Sequence, residues 1–152
     1  MTKQLAKGLT MLMLVMALAF VTAVVSANGQ SRQARASVPF DFVVGDKTLA
    51  SGHYDVATIN DAGDCLKISN TEAKGSAARL TAMLDGKTDR AKLVFHRYGQ
   101  RYFLAEVWTA GAEGRQLNKS RQERAIEREG SRIAELSGTA RPTFETVEIA
   151  MN

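Results

Sequence analysis

The chain has 152 residues, of which 45% are hydrophobic and 24% charged, and its formal net charge is +4. This length indicates one domain, and the composition excludes collagen-like and low-complexity chains. With a single cysteine in the chain, no intramolecular disulfide can form, so an apolar core has to stabilise the domain.

Residues 1–27 carry the pattern of a secretory signal peptide. Lys3 and Lys7 form a short basic region, and residues 8–31 then carry no charge. The small residues that end this segment suit a signal-peptidase site, so the pattern predicts cleavage after Ala27. The same apolar stretch is also long enough to remain as an uncleaved membrane anchor. Under either interpretation, the rest of the chain is expected in the periplasm or outside the cell.

The remaining chain divides into a short leader and one domain. Residues 28–36 are polar and lack an apolar period, so we expect a flexible leader there. Residues 37–150 are expected to form a single β-rich domain. Removal of residues 1–27 takes away two lysines and no acids, which lowers the net charge to +2. Such a small charge on an exported chain gives no reason to expect a nucleic-acid partner.

Alternating apolar residues predict strands in the first half of this domain. Val38, Phe40 and Phe42 recur at every second position, which is typical of a half-buried strand. Polar and glycine-containing turns separate this segment from further short strands, which are predicted over residues 47–49, 53–59, 65–69 and 77–84.

The strongest local signal is a hairpin over residues 91–109. Two runs rich in aromatic and β-branched residues flank Gly99, which is typical of antiparallel strands joined by a tight turn. Uninterrupted alternation in the second run would place three side chains on one face, namely Phe103, Ala105 and Val107. The opposite face would then carry Tyr102, Leu104, Glu106 and Trp108. One face would meet the core, and the other would form a groove or lie under a later element.

Residues 119–136 change to the period of a helix. Ser120 is a suitable N-cap, and Glu123 three residues later completes a capping box. The helix is predicted over about residues 119–136, although Gly130 weakens its second half and could kink or end it there. Three apolar residues lie roughly along one stripe of this helix: Ile126, Ile133 and Leu136.

Four arginines form a basic ridge on the same helix, at spacings of three, four and four residues: Arg121, Arg124, Arg128 and Arg132. The ridge would suit an anionic partner such as a phospholipid head group, a cell-wall polymer or an acidic protein. Glu123 and Glu127 lie beside it and dilute the positive field. A solvated helix face without a partner is the alternative interpretation.

The succession of short strands followed by one helix predicts a mainly β fold. We expect a small antiparallel β-sandwich or a partly open barrel with one C-terminal helix. Residues 144–150 are expected to form either a last strand or a loose tail.

Three segments together resemble a family of small, uncharacterised, exported bacterial proteins. They are residues 38–42 (VPFDF), residues 93–108 (LVFHRYG followed by YFL and W) and residues 119–124 (KSRQER). The likeness covers about residues 37–128 and departs at Ala50 and Asn118, where prolines are frequent in the family. These departures bear on turn rigidity. The resemblance implies export and a shared fold, and it implies no activity, ligand or catalytic residue.

The sequence contains no reactive constellation, so it does not favour an enzyme, and neither a metal nor a cofactor is expected. His53 and Asp55 would share a strand face as two metal ligands, although exposed or hydrogen-bonded histidines are the simpler interpretation of His53 and His96. Cys65 is either a small buried strand residue, which we favour, or a reactive free thiol.

Two functions of different classes remain open. The first is an exported, non-enzymatic binding or structural domain, whose partner is an envelope component, an anionic surface or a second copy of the chain. Its interaction surface would be either the aromatic hairpin face or the basic ridge: Tyr102, Leu104 and Trp108, or Arg121, Arg124, Arg128 and Arg132. The alternative is a small β-barrel that carries an apolar small molecule in a cavity lined by Phe40, Phe42, Phe95 and Phe103. Aromatic residues at strand spacing are also ordinary core residues.

Overall fold

The computed structural model describes residues 34–60, 62–138 and 143–152. In these ranges the chain forms ten strands and one helix. The strands are β1 (Ala34–Val38), β2 (Phe42–Val44), β3 (Lys47–Leu49), β4 (Gly52–Thr58), β5 (Cys65–Asn70), β6 (Ser76–Lys87), β7 (Lys92–Tyr98), β8 (Arg101–Trp108), β9 (Glu113–Leu117) and β10 (Glu145–Ala150). The helix, α1, is Arg121–Ser137. The predicted signal peptide, its alternative as an anchor and most of the predicted leader lie outside the described residues.

The strands form one continuous sheet within the described ranges. Its order is β1-β4-β5-β6-β9-β8-β2-β3. In addition, β7 pairs with β8, and β10 pairs with β7. Neighbouring strands are antiparallel except β2 and β8, which run parallel. The long strand β6 pairs with β5 near its beginning and with β9 near its end, so it connects the two halves of the sheet. This arrangement confirms the predicted mainly β fold with one C-terminal helix.

The first strand of the sheet and the segment after β10 approach each other, as expected in a partly open β-sandwich or barrel. Ala36 of β1 and Met151 form an isolated bridge, and both residues are buried. Beside the bridge, Arg35 and Asn152 exchange two backbone hydrogen bonds of 2.9 Å. β1 therefore begins at Ala34, inside the segment predicted to be a flexible leader, because its backbone has partners at the C-terminal end of the chain.

Aromatic side chains fill much of the interior. Phe42 and Phe95 are fully buried and meet edge to face, with 5.3 Å between ring centroids. Phe42 contacts Tyr54 in the same way at 5.0 Å. Phe40 contacts Phe95 at 5.2 Å. Each such pair contributes about 0.5–1.5 kcal/mol beyond the burial of its surface. Three of the four phenylalanines expected to line a ligand cavity thus pack against one another.

A β-bulge in the hairpin of β7 and β8 changes which side chains face the core. The pairing shifts between Val94 and Phe95, where β8 contributes one extra residue. Beyond the bulge, Leu104 pairs with Phe95 and belongs to the main core. Phe103 shares the opposite face with His96. The uninterrupted alternation predicted for this strand is therefore wrong, because a one-residue insertion exchanges the two faces.

Helix α1 begins at the predicted cap and covers nearly the predicted range. Ser120 Oγ accepts a hydrogen bond of 2.9 Å from the backbone N–H of Glu123. The helix continues through Gly130, so the alternative of an end at this glycine is not realised. It closes at Gly138, whose φ of 63° is the left-handed conformation that glycine favours after a helix.

The buried side of α1 does not coincide with its apolar stripe. Glu123 and Ala134 are the buried residues of the helix. By contrast, Ile133 is 53% exposed and Leu136 is 79% exposed. No helix in the part of the chain that the structure describes is long and apolar enough to cross a membrane.

A pair of leucine variants tests the new register of β8. We expect Leu104→Ala to lower the free energy of unfolding by about 2–5 kcal/mol, because the substitution opens a cavity in the core. Leu80→Ala is the matched control, because Leu80 is 66% exposed whereas Leu104 is 4% exposed. The control should change stability by about 0.5 kcal/mol or less. Urea titration measures both variants, and equal effects would contradict the bulged register.

Candidate functional site

A buried polar pair joins the first turn of α1 to strand β7. Glu123 is 2% exposed although its side chain is a carboxylate. His96 Nδ1 donates a hydrogen bond of 2.9 Å to Glu123 Oε1. The ring of Phe144 stacks on His96, with 3.8 Å between the ring centroids. A carboxylate buried without a partner is strongly destabilising, and the bond to His96 offsets that cost.

Tyr98 and Lys119 both donate hydrogen bonds to Glu127, which lies one helical turn after Glu123. Tyr98 Oη donates a hydrogen bond of 2.6 Å to Glu127 Oε1. The same hydroxyl lies 3.5 Å from Glu123 Oε1. Lys119 Nζ, from the segment that precedes the helix, also donates to Glu127. We call the following five side chains the polar cluster: His96, Tyr98, Lys119, Glu123 and Glu127.

The contacts of the polar cluster shift two pKa values in opposite directions. Burial raises the pKa of Tyr98, and the hydrogen bond to Glu127 and the nearby negative charges raise it further. The hydrogen bond from Lys119, followed by the one from Tyr98, lowers the pKa of Glu127. Tyr98 therefore remains a protonated donor and Glu127 a charged acceptor, which sets the direction of the hydrogen bond between them.

Histidine, tyrosine and glutamate are residue types used in acid–base catalysis, but in this cluster they bond to one another. Throughout the described ranges, no buried side-chain nitrogen or oxygen atom lacks a hydrogen-bond partner. The ring of Phe144 also lies against His96. This is the arrangement of a structural tie between a helix and a strand.

The polar cluster fixes the rotation of α1 about its own axis. Successive residues of a helix are about 100° apart, so Glu123, Glu127 and Ala134 share the side that lies against the sheet. The same geometry turns the basic ridge towards solvent. All four of its members are exposed: Arg121, Arg124, Arg128 and Arg132.

We call these four arginines the basic face, together with the exposed Leu136, which lies about 40° from Arg132 around the helix axis. None of the four forms an ion pair with a residue that the structure describes. Arg128 Nε donates a hydrogen bond of 3.3 Å to the backbone oxygen of Arg124. A shallow groove of about 660 Å³ runs along the arginines and also contacts Glu127 and Glu135. The basic face therefore presents unpaired positive charge beside the exposed side chain of Leu136. Ile133, the other strongly exposed apolar residue of the helix, lies about 100° around the axis from Arg132.

The aromatic half of the predicted interaction surface is taken up by contacts within the protein. Tyr102 stacks on Phe40, with 3.8 Å between ring centroids and 13° between the ring planes. Leu104 lies in the core because of the bulge, so its assignment to an exposed interaction surface is wrong. Trp108 is partly buried, and its Nε1 donates a hydrogen bond of 2.7 Å to Glu106 Oε2. The structure thus exposes the arginine half of the predicted site, buries Leu104 and leaves Tyr102 and Trp108 partly buried.

The other candidate residues do not converge on a metal site. Asp55 pairs with Arg35 at 2.9 Å. His53 Nε2 lies 3.9 Å from Glu72 Oε1 at the surface. Among the residues with described positions, no group of three or more histidine, cysteine, aspartate or glutamate side chains could hold a metal ion. Cys65 is partly exposed, in contrast to the burial that the sequence favoured, and it lines a cleft near the start of α1.

Sequence reasoning missed the polar cluster as a unit. In the sequence, the cluster could have been found from the spacing of Glu123, Glu127 and Ala134. This spacing puts two carboxylates on the side of the helix that carries small residues. Such a side can pack on a sheet only where polar partners meet it. His96 and Tyr98, two residues apart on one strand, point to the same face and supply those partners.

No family model, curated protein or solved structure matches the chain. Two of the three segments that carry the resemblance to an exported bacterial family meet at the polar cluster. His96 and Tyr98 come from the LVFHRYG segment, and Lys119 and Glu123 come from the KSRQER segment. Membership of that family remains a prediction.

Removal of the buried carboxylate tests the structural role of the cluster. We expect Glu123→Ala to lower the free energy of unfolding by about 3–5 kcal/mol, because it leaves His96 without its buried partner. Glu129→Ala is the matched control, because Glu129 lies on the exposed side of the same helix. Denaturant titration of both variants measures the difference, and a Glu123 variant as stable as the control would rule out the tie.

The lowered pKa of Glu127 predicts a dependence of stability on acid. A carboxylate whose pKa is lower in the folded state stabilises the protein above its unfolded value of 4.5, and this contribution is lost as the pH falls through the folded value. The wild type should therefore lose stability below about pH 4.5 more steeply than Glu127→Gln, which cannot titrate. Urea midpoints measured across this range compare the two proteins, with Glu129→Gln as the surface control. Parallel curves for the wild type and Glu127→Gln would contradict the expectation.

Proposed function

We propose that this chain is an exported, non-enzymatic binding domain whose basic face docks reversibly on an anionic phospholipid surface of the cell envelope. The observation that carries the proposal is the basic face itself. Four exposed arginines without ion pairs in the described part of the chain lie on one helix with two exposed apolar side chains. The polar cluster holds that helix in the rotation that leaves these side chains exposed.

The mixture of charged and apolar side chains favours a lipid surface over an acidic protein or polymer. Ile133 and Leu136 are more than half exposed, and an interaction with charge alone would leave them in water. At a membrane, apolar side chains enter the boundary between head groups and acyl chains. Arginine stems lie along the same apolar boundary while their guanidinium groups remain with the phosphates.

The expected affinity is low. Each arginine near an anionic membrane contributes about 1 kcal/mol, and Glu129 and Glu135 on the same helix reduce the net attraction. Full burial of a leucine or isoleucine side chain adds about 1.5–3 kcal/mol. The total resembles the marginal, reversible binding of a single myristoyl chain, which has an association constant of about 10⁴ M⁻¹.

Export and the alternative of an uncleaved anchor remain proposals that fit this function. Either route delivers the domain to the envelope, where anionic phospholipid is present. The alternative function, transport of an apolar ligand, draws less support. Phe40, Phe42 and Phe95, which were expected to line its cavity, contact one another.

Vesicle sedimentation tests the proposed function. Purified protein should sediment with vesicles of phosphatidylglycerol and phosphatidylcholine, should not sediment with phosphatidylcholine alone, and should be released by high salt. The double variant Arg128→Glu/Arg132→Glu should bind about tenfold more weakly or worse, because it reverses two charges of the basic face.

The matched control is Lys67→Glu/Arg90→Glu, which makes the same change in net charge at exposed positions outside α1. This control should keep most of the binding. A second comparison sets Leu136→Ser against Ile59→Ser, since both parent side chains are more than half exposed and only Leu136 belongs to the basic face. Equal losses in the two charge variants would show that only net charge matters, and the proposed docking face would then be abandoned.

A further inference from the structure

Four cationic side chains converge on one cleft beside the start of α1. The cleft has a volume of about 530 Å³ and lies between the turn that joins β2 to β3, the strands β5 and β6, and the segment that enters the helix. Its cationic lining residues are Arg79, Lys119, Arg121 and Arg124. Among the described residues that line it, Asp46 is the one acidic side chain. The cleft is therefore an electropositive concavity assembled from four separate parts of the sequence.

Arg79 is held in place at the wall of this cleft. Its Nη2 donates a hydrogen bond of 3.3 Å to Asp46 Oδ2 in the β2–β3 turn. Its guanidinium lies directly over Gly45, where an added Cβ would come within 1.9 Å of Nε. Gly45 also has a positive φ of 61°, a conformation that other residues rarely adopt. Glycine at this turn thus leaves the space that the Arg79 guanidinium occupies.

The charges of the cleft are only partly neutralised within the protein. The ion pair of Arg79 with Asp46 is solvent-exposed, and such pairs are weak. Lys119 is engaged by Glu127 in the polar cluster. Arg121 and Arg124 form no ion pair with any residue of described position. An anion of higher charge than one carboxylate would complement this lining.

We infer that the cleft binds a phosphate monoester group. A guanidinium donates two parallel hydrogen bonds to phosphate oxygens, and three arginines offer more donors than a single carboxylate accepts. The cleft also contains Leu80, which is 66% exposed, and Ala78, so the organic part of the ligand has an apolar surface to contact.

This inference deepens the proposed function and rests on it for the source of the phosphate. Arg121 and Arg124 belong to both the cleft and the basic face. A domain docked through its basic face would place the cleft close to the lipid head groups. The same chemistry is offered by a soluble phosphate monoester, so the experiment uses both sources.

Cys65 supplies a local reporter. It lines the cleft, and it is the one cysteine of the chain. Iodoacetamide is uncharged, so its approach to the thiol does not depend on the arginines. Glycerol 3-phosphate should slow the alkylation of Cys65 in the purified protein severalfold and saturably, while sodium chloride at equal ionic strength should not. Equal rates in the two salts would overturn the inference.

Three variants locate the binding. Arg79→Ala and Arg124→Ala should each weaken the protection about tenfold, which is the loss expected for a charge-assisted hydrogen bond. Gly45→Ala should weaken it as well, because it displaces the Arg79 guanidinium without removing it. Lys67→Ala is the control, because it removes one positive charge at a different cleft and should leave protection unchanged. Circular dichroism verifies that each variant is folded, and protection that survives in both arginine variants would overturn the inference.

A second arm separates this inference from the proposed function. Vesicles that contain a phosphatidic acid lipid should protect Cys65 in the wild type and should fail to protect it in Arg79→Ala. If vesicles bind and neither phosphate source protects Cys65, the cleft inference fails and the docking function stands. If glycerol 3-phosphate protects Cys65 and no vesicle binds, the docking function fails and the cleft serves a soluble ligand.

Discussion

The buried carboxylate of Glu123 determines which side chains of α1 face solvent. Glu123 cannot leave water without partners, and His96 and Tyr98 on β7 supply them. Because the partners are fixed to a strand, the helix can adopt only the rotation that brings Glu123 and Glu127 onto them. That rotation leaves Ile133 exposed, buries Glu123 and half-buries Glu127, in contrast to a helix that packs by hydrophobicity alone.

The bulge between β7 and β8 makes this attachment compatible with a filled core. By inserting one residue, it places Leu104 beside Phe95 in the interior and leaves Phe103 on the face of His96. Phe103 is buried there and meets the ring of Tyr98 edge to face, at 5.8 Å between centroids. The hairpin thus supports two packed surfaces, the barrel interior on one side and the polar cluster on the other.

The basic face and the cleft are two parts of one electropositive region. Arg121 and Arg124 line both, and the polar cluster that orients the helix also anchors Lys119 at the edge of the cleft. Arg79, from β6, adds a positive charge that the pattern of the helix does not reveal. In the function proposed above, this region would combine long-range attraction to an anionic surface with a concave site for one phosphate group.

Local patterns in the sequence determined the mainly β fold, the hairpin around Gly99, the Ser120 cap and the existence of a basic helix face, because each depends on residues close together in the chain. Only the tertiary structure decided the rest. A bulge leaves no mark in an apolar strand, so the burial of Leu104 was hidden. The partners of Glu123 lie 25 or more residues away. The cleft could not be predicted either, because its lining combines residues from distant segments. Strand pairing and the packing of the helix on the sheet bring these residues together, and neither depends on neighbouring residues in the sequence alone.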